Sequence, residues 1–178
     1  MKKKTIVSLT LILFTGILVF QSCKKDKEDS ATSTSASDEF IADSSSFVSF
    51  MNWSLDKSYN GPDPLLGAMA HANNDSTVIR DVYFKDGQNS VNGKYPVGTL
   101  VVKYSHNPDS TVNEYTAMAK RGNNFNPNYG DWEFFMLTSS GSIATDSTGT
   151  AMRGADLMGG MCGSCHNSAS SKDLIFSK

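Results

Sequence analysis

The chain has 178 residues, with 16 lysine and arginine residues against 18 aspartate and glutamate residues, which gives a net charge of −2. The first 22 residues contain three lysines and no acidic residue, so a chain beginning at Cys23 would carry 13 basic against 18 acidic residues, a net charge of −5. A mildly acidic protein lacks the basic surface on which nucleic-acid binding depends, and nucleic acid is therefore excluded as an expected partner.

Residues 1–22 have the pattern of an export signal. Three lysines at positions 2–4 precede an uncharged apolar run, which is the order found in secretory signals. The run ends at Phe-Gln-Ser-Cys, residues 20–23, which resembles the processing box of a bacterial lipoprotein with Cys23 as the acylated residue. An uncleaved anchor is the alternative, although about fifteen apolar residues are short for a span that needs about twenty. The sequence predicts an exported, membrane-anchored lipoprotein that faces the periplasm or the cell surface.

Residues 23–37 carry mixed charges and then serine, threonine and alanine, with almost nothing to bury. Such a composition cannot offset the loss of chain entropy on folding, so a flexible acylated tether is expected here. The remaining residues, 38–178, are predicted to form one domain of ordinary size.

The domain begins with helical patterns. Residues 38–55 have apolar side chains at helical spacing, which predicts an amphipathic helix covering part of the core. Phe47, Phe50 and Trp53 form its aromatic stripe, for which packing is favoured over binding of a cofactor. A second, short helix is predicted over residues 65–73.

Four later segments are rich in β-branched and aromatic residues and predict strands: residues 76–84, 99–106, 112–121 and 132–138. Turn residues separate them, and no long crossover connects them. The predicted fold is α+β, an antiparallel meander of about four strands flanked by helices.

Side-chain alternation sets Arg80 on one face of its strand with Val78 and Val82, and Lys103 on one face of the next with Val101 and Ser105. Most arginine and lysine side chains in strands point to water. The pattern alone therefore favours exposure of Arg80 and Lys103.

Residues 162–166 read Cys-Gly-Ser-Cys-His, twelve residues before the end of the chain. Two cysteines at this spacing can each form a thioether to a haem vinyl group, and the adjoining histidine is then placed to bind the iron. The alternatives are a redox-active cysteine pair, half of a zinc site or a short disulfide. The other histidines, His71 and His106, are isolated, which disfavours zinc; His71 is expected to be a partly buried or solvated residue and not a distal haem ligand.

Four segments in one order resemble the cytochrome P-460 family, which includes the hydroxylamine-oxidising cytochromes and the cytochromes c′-β. They are Ile-Arg-Asp-Val-Tyr at 79–83, Pro-Val-Gly-Thr-Leu-Val-Val-Lys at 96–103, Gly-Asp-Trp-Glu-Phe at 130–134, and the haem motif at 162–166 followed by Ala169, Asp173 and Phe176. The resemblance covers residues 38–176.

The resemblance implies that Cys162 and Cys165 hold one covalent haem c and that His166 is its proximal iron ligand. Lys103 matches the lysine that forms an additional bond to the porphyrin edge in the P-460 enzymes, and Arg80 matches an arginine near the distal pocket. The implied function is oxidation of hydroxylamine or a related small nitrogen species at an open distal site. The alternative is a non-catalytic cytochrome c′-β-like protein that binds nitric oxide or transfers electrons.

Oxidation coupled to proton loss needs a base near the substrate, and Asp146 and Asp156 are candidates by their location in the sequence. Met136, Met152, Met158 and Met161 could close the sixth iron position, but filling of the core is favoured for most of them. The expected partners are a small nitrogen-containing ligand, a redox partner protein, the membrane through the lipid on Cys23, and a second copy of the chain in a homodimer.

Overall fold

A meander of antiparallel strands forms the centre of the domain. In the computed structural model, which describes residues 38–61 and 76–177, six strands pair in sequence order: β1 Ser54–Asn60, β2 Ile79–Phe84, β3 Leu100–His106, β4 Asn113–Lys120, β5 Trp132–Leu137 and β6 Arg153–Gly154. Every neighbouring pair is antiparallel. The predicted antiparallel meander within an α+β fold is confirmed. The four predicted strands correspond to β2–β5, whereas β1 and the short β6 were not predicted.

The register gives the sheet two distinct faces. Lys103 lies opposite Val82 on β2 and Thr116 on β4, and Arg80 lies opposite Ser105. These side chains point to the same side of the sheet, which we call the site face. Leu100, Val102, Ala117 and Phe135 point to the other side, which we call the N-terminal face.

The helix predicted over residues 38–55 is wrong. Residues 44–49 form turns, Phe50–Asn52 is a single 3-10 turn, and β1 begins at Ser54. The side chain of Asp43 accepts a hydrogen bond from the backbone of Ser45 at 2.8 Å, and Ser49 has a left-handed φ of 58°. Such local side-chain bonding and a left-handed residue both interrupt a helix.

The aromatic side chains of that segment cover the N-terminal face. Phe47 and Phe50 are 0% and 1% exposed, and Trp53 packs against the same core. The ring centroids of Phe47 and Phe135 are 5.0 Å apart. The prediction that this stripe packs in the core is confirmed, although extended chain and turns deliver it in place of a helix.

The site face is covered by the end of the chain. The helix α1, Met161–His166, leads into 3-10 turns at Asn167–Lys172, and Leu174 and Ile175 then pack on the sheet. Helix α1 is the one α-helix of the described residues. No helix in residues 38–61 or 76–177 is long and apolar enough to cross a membrane. The predicted helix at 65–73, His71, Cys23 and the export segment lie outside the described residues.

Candidate functional site

Helix α1 carries the whole Cys-Gly-Ser-Cys-His motif against the site face. Cys162 and Cys165 are partly buried thiols. Burial raises the pKa of both, and the nearby Lys103 opposes this rise. Gly163 is buried because the ring of Tyr129 lies where a side chain at this position would be. The absence of a side chain at residue 163 therefore allows the helix to approach the connection before β5.

His166 is held in one tautomer. Its Nδ1 lies 2.8 Å from the backbone carbonyl oxygen of Leu174. Because a carbonyl only accepts hydrogen bonds, Nδ1 carries the proton and Nε2 carries the lone pair needed to bind a metal. Burial lowers the pKa of His166 to about 4, and the Leu174 carbonyl opposes this shift only in part. The imidazole is therefore neutral at neutral pH, which is the form that binds iron.

Aromatic rings flank the histidine. The ring centroid of His166 lies 5.6 Å from that of Phe134 on β5 and 5.4 Å from that of Phe176 near the end of the chain. These contacts and the Leu174 hydrogen bond fix the plane of the imidazole, and a ligand bound to Nε2 would meet a pre-oriented ring.

Arg80 and Lys103 both point inward, which corrects the exposure that the strand pattern favoured. Arg80 is 1% exposed and donates from Nη1 to the carbonyl of Val78 at 3.1 Å. Lys103 is partly buried and lines two cavities of about 50 Å³ each, both of which also contact His166. The structure thus brings Lys103 and the histidine of the haem motif to one place.

The two cavities lie on either side of the motif. Cys162 lines the first and Cys165 lines the second, while Val101, Lys103 and His166 are common to both. The rest of the first cavity is mostly apolar: Thr116, Ala117, Met118, Phe134, Phe135 and Met136. The rest of the second is Tyr59, Val82, Ile175, Phe176 and Ser177. Each cavity is smaller than a tetrapyrrole.

The charge of Lys103 is tuned by its surroundings. Burial lowers its pKa to about 8; the carboxylate of Glu114 opposes this shift, and the guanidinium of Arg80 adds to it. About a tenth of this amine is therefore neutral, and nucleophilic, at pH 7.

Glu114 is a site residue that the sequence interpretation missed. It lies on β4 opposite Ser105, which places it on the site face, two residue pairs along from Lys103 and Thr116. Its charge acts on both Lys103 and Cys162. Alternation along β4 and the β3–β4 register would have revealed it, but that register is not apparent from either strand alone.

The two aspartates proposed as bases do not join the site. Asp146 is exposed and accepts hydrogen bonds from Thr148 and Thr150 within its own turn. Asp156 is also exposed, and neither aspartate is among the charges that shift the pKa of Lys103 or Cys162. His106 lies elsewhere, with its Nε2 3.0 Å from an oxygen of Asp81.

The methionines divide between packing and surface. Met136 lines the first cavity beside Cys162 and His166. Met158 and Met161 are 55% and 52% exposed. Of the four methionines considered as a sixth ligand, Met136 is the one that lines a cavity.

The donor set suits a haem better than a bare metal ion. Among residues 38–61 and 76–177, no three His, Cys, Asp or Glu side chains lie close enough to hold a metal ion. A c-type haem needs only two thiols for its vinyl groups and one imidazole with its second nitrogen hydrogen-bonded. Cys162, Cys165 and His166 meet these requirements, so the residues present fit a c-type haem.

Comparisons of the chain with protein-family models, with curated proteins and with solved structures found no match. The chemistry of the site is therefore inferred from its own geometry and from the motif resemblance.

Proposed function

We propose that the domain is a mono-haem c-type cytochrome that oxidises hydroxylamine or a related small nitrogen species. The observation that carries this proposal is the hydrogen bond from His166 Nδ1 to Leu174, which leaves Nε2 to bind iron beside the two motif thiols. When bound, the haem supplies an iron centre that takes electrons from a small ligand.

Lys103 supports the enzymatic form of the proposal. Its amine lines the cavities next to both motif cysteines, and its lowered pKa makes part of it neutral. A neutral amine can form a covalent bond to an electrophilic carbon, whereas an ammonium group cannot. We propose that Lys103 Nζ replaces a hydrogen on a carbon of the porphyrin edge: one N–H and one C–H bond break, the C–N bond forms, and a peroxide accepts the two protons and two electrons to give water. This bond would alter the electronics of the porphyrin, and Arg80 would contribute fixed positive charge near the distal ligand.

Proton removal from the substrate falls to Glu114 in this proposal. It is the described carboxylate whose charge acts on Lys103 and Cys162, whereas Asp146 and Asp156 point to solvent. A carboxylate within reach of the substrate, directly or through one water molecule, can act as a general base.

A second candidate function is binding of nitric oxide without turnover, as in a cytochrome c′-β-like protein. The apolar lining of the first cavity, with Met118, Phe134 and Met136 among its residues, favours it. An apolar pocket suits a small neutral gas, whereas proton-coupled chemistry needs polar groups at the ligand.

The proposal includes export and anchoring. The apolar segment followed by Cys23 supports an acylated protein on the exported side of a membrane, where a redox partner protein would accept the electrons. Metabolic labelling with a radioactive fatty acid tests the anchor: the label should enter the wild-type protein and be absent from a Cys23→Ser variant.

The experiment that tests the haem function is a comparison of the matured full-length protein with Lys103→Ala and with Cys162→Ala/Cys165→Ala. Haem should stay attached after denaturation in the first two proteins, and it should be lost from the third once Lys103→Ala is added to the two cysteine substitutions. A red-shifted ferrous Soret band present only in the wild type indicates the lysine bond, and hydroxylamine-dependent reduction of an added cytochrome indicates the enzyme. An ordinary spectrum unchanged by Lys103→Ala would favour the gas-binding alternative, and a wild-type chain without covalent haem would overturn both.

A further inference from the structure

The end of the chain is fastened to the sheet through one buried carboxylate. Asp173 is 6% exposed, and its Oδ1 and Oδ2 accept hydrogen bonds from Lys120 Nζ at 2.9 and 2.7 Å. Oδ2 also accepts from the backbone N–H of Tyr95 at 2.8 Å. The backbone carbonyl of Asp173 accepts from Trp132 Nε1 at 2.8 Å. Donors from β4, from β5 and from the connection before β3 thus converge on a single residue.

Lys120 is itself enclosed. It is 6% exposed, and its Nζ lies 5.0 Å from the centre of the Trp132 ring. Removing two charges from water opposes folding, and a buried ion pair persists only where geometry and further hydrogen bonds compensate for that cost. Here the compensation comes from the additional donors to Asp173. Such a pair defines one position for the chain far more strictly than an apolar contact would.

The position it defines is an uncommon one. Asp173 and Leu174 both have left-handed backbone conformations, with φ of 50° and 69°. Neither is a glycine, and two consecutive left-handed residues persist only where their surroundings hold them. The Leu174 N–H is also bonded, to the carbonyl of Ala169 at 3.0 Å.

The reversed backbone aims the Leu174 carbonyl at His166. This carbonyl accepts the 2.8 Å hydrogen bond from His166 Nδ1. The orientation of the imidazole therefore depends on residues 173 and 174, and these depend on Lys120. Lys120 on β4 is thus connected to the His166 ring at the end of α1 through the Asp173 carboxylate and the backbone of Leu174.

We propose that Lys120 and Asp173 are positioning residues that hold the Leu174 carbonyl on His166 and so set how strongly its imidazole donates to the iron. This inference rests on the proposed haem function for its consequence at the iron, but the positioning itself is a property of the chain. An imidazole whose second nitrogen donates to a well-placed acceptor is a stronger ligand, and changes to such outer partners typically alter metal affinity or activity by 10–100-fold.

The first test is made on the full-length chain without haem. In the wild type, the Nδ1 proton of His166 should give a slowly exchanging NMR signal, because its acceptor is fixed. In Asp173→Asn, which keeps the side-chain shape but loses the charge facing Lys120, exchange should be at least tenfold faster. Glu39→Gln is the matched control, since it removes the charge that faces Arg121 in an ion pair of greater exposure and should leave the signal unchanged.

The second test is made on the matured protein. Asp173→Asn should raise the reduction potential and lower the frequency of the iron–histidine vibration in the ferrous protein, while covalent haem content stays constant. Lys120→Arg, which keeps the charge but changes its geometry, should give a smaller shift in the same direction. If Asp173→Asn does not fold, the shift measured in Lys120→Arg tests the proposal.

The proposal would be overturned if a folded Asp173→Asn protein kept the wild-type rate of His166 proton exchange, the wild-type reduction potential and the wild-type iron–histidine vibration frequency. Equal shifts in Glu39→Gln would also overturn it. If the wild-type chain carries no covalent haem, the proposed function is wrong, and the exchange rate of the His166 proton still decides whether the ion pair positions the ring.

Discussion

Lys103 in the middle of β3 and His166 at the end of α1 line the same two cavities. One lies in a strand at the centre of the sheet, and the other belongs to a helix near the end of the chain. Their proximity means that an amine of lowered pKa and a neutral imidazole with a defined tautomer occur in one site.

The amine of Lys103 should titrate near pH 8. Burial lowers its pKa from the ordinary lysine value of about 10.4 to about 8, so its reactivity should rise through pH 8 in the folded chain without haem. Competitive labelling with a small amine reagent, followed by mass spectrometry and normalised to the exposed Lys172, measures this midpoint. A midpoint near 10 would contradict the described burial.

The same shift predicts the sign of a stability change. As pH rises from about 8 to about 10.4, the folded chain releases the Lys103 proton while the unfolded chain retains it. The free energy of unfolding should therefore increase over this interval relative to a Lys103→Met variant. Urea unfolding of both proteins across the interval measures the difference, and a difference that falls with pH would contradict the assignment.

Glu114→Gln should move the Lys103 midpoint downward. The Glu114 carboxylate favours the charged form of the amine and is the largest influence that opposes burial, so its removal should lower the pKa of Lys103 further. The labelling experiment above detects the change. Asp156→Asn is the control, because Asp156 is exposed and does not line the cavities. If the domain is the proposed enzyme with Glu114 as its base, hydroxylamine oxidation should fall about 100-fold or more in Glu114→Gln and remain in the control.

The sheet could be predicted because its signals are local. Strands β2–β5 each carry enough β-branched and aromatic residues to be found separately, and alternation correctly grouped Val101, Lys103 and Ser105 on one face. The strand sequences alone could not predict which face of the sheet is buried. Lys103 and Arg80 point inward because the end of the chain folds over that face.

The wrong prediction of a helix and the unrecognised role of Asp173 both concern contacts between segments that are far apart in the sequence. The apolar spacing of residues 38–55 fits a helix, but a turn segment lying across a sheet can bury the same side chains, and Phe47 and Phe50 are buried in that way. The importance of Asp173 was also hidden, since its donors lie on Lys120, Tyr95 and Trp132, far away in the sequence. Periodicity reports neither kind of contact.

Glu133→Gln should destabilise the domain by about 2 kcal/mol, the cost of weakening hydrogen bonds between charged groups at a buried site. Glu133 is 1% exposed and accepts from Arg153 at 2.7 and 2.9 Å, while Arg153 also donates to the carbonyl of Ala42. Weaker hydrogen bonds between Arg153 and residue 133 should loosen the segment that covers the N-terminal face. Urea unfolding measures the effect, and Glu39→Gln at the more exposed pair should cost less.

Glu133 lies on strand β5, and its side chain forms its hydrogen bonds on the N-terminal face. Its replacement should therefore leave the site face intact. If the domain carries the proposed haem, the ferrous spectrum of the matured Glu133→Gln protein should match that of the wild type. A changed spectrum at unchanged stability would show that the two faces of the sheet are coupled, contrary to this prediction.

Gly163→Ala should destabilise the domain although alanine is the better helix former. A Cβ at residue 163 would lie 2.5 Å from the ring of Tyr129. Overpacking of this kind costs about 1–3 kcal/mol, whereas alanine gains about 1 kcal/mol over glycine in a helix. The net expected result is a loss of about 1 kcal/mol in the free energy of unfolding. If the domain carries the proposed haem, the yield of covalent haem should also fall, because the cysteines move with the helix.

The sign of this effect should reverse when Tyr129 is truncated. In a Tyr129→Ala background the clash is gone, so Gly163→Ala should become stabilising through helix propensity alone, and a double-mutant cycle by urea unfolding measures the coupling. Ser164→Ala is the control for the weak contact between the Tyr129 and Ser164 hydroxyls at 3.3 Å, and it should have little effect. If Gly163→Ala has the same effect in both backgrounds, the ring is not what requires glycine in the haem motif.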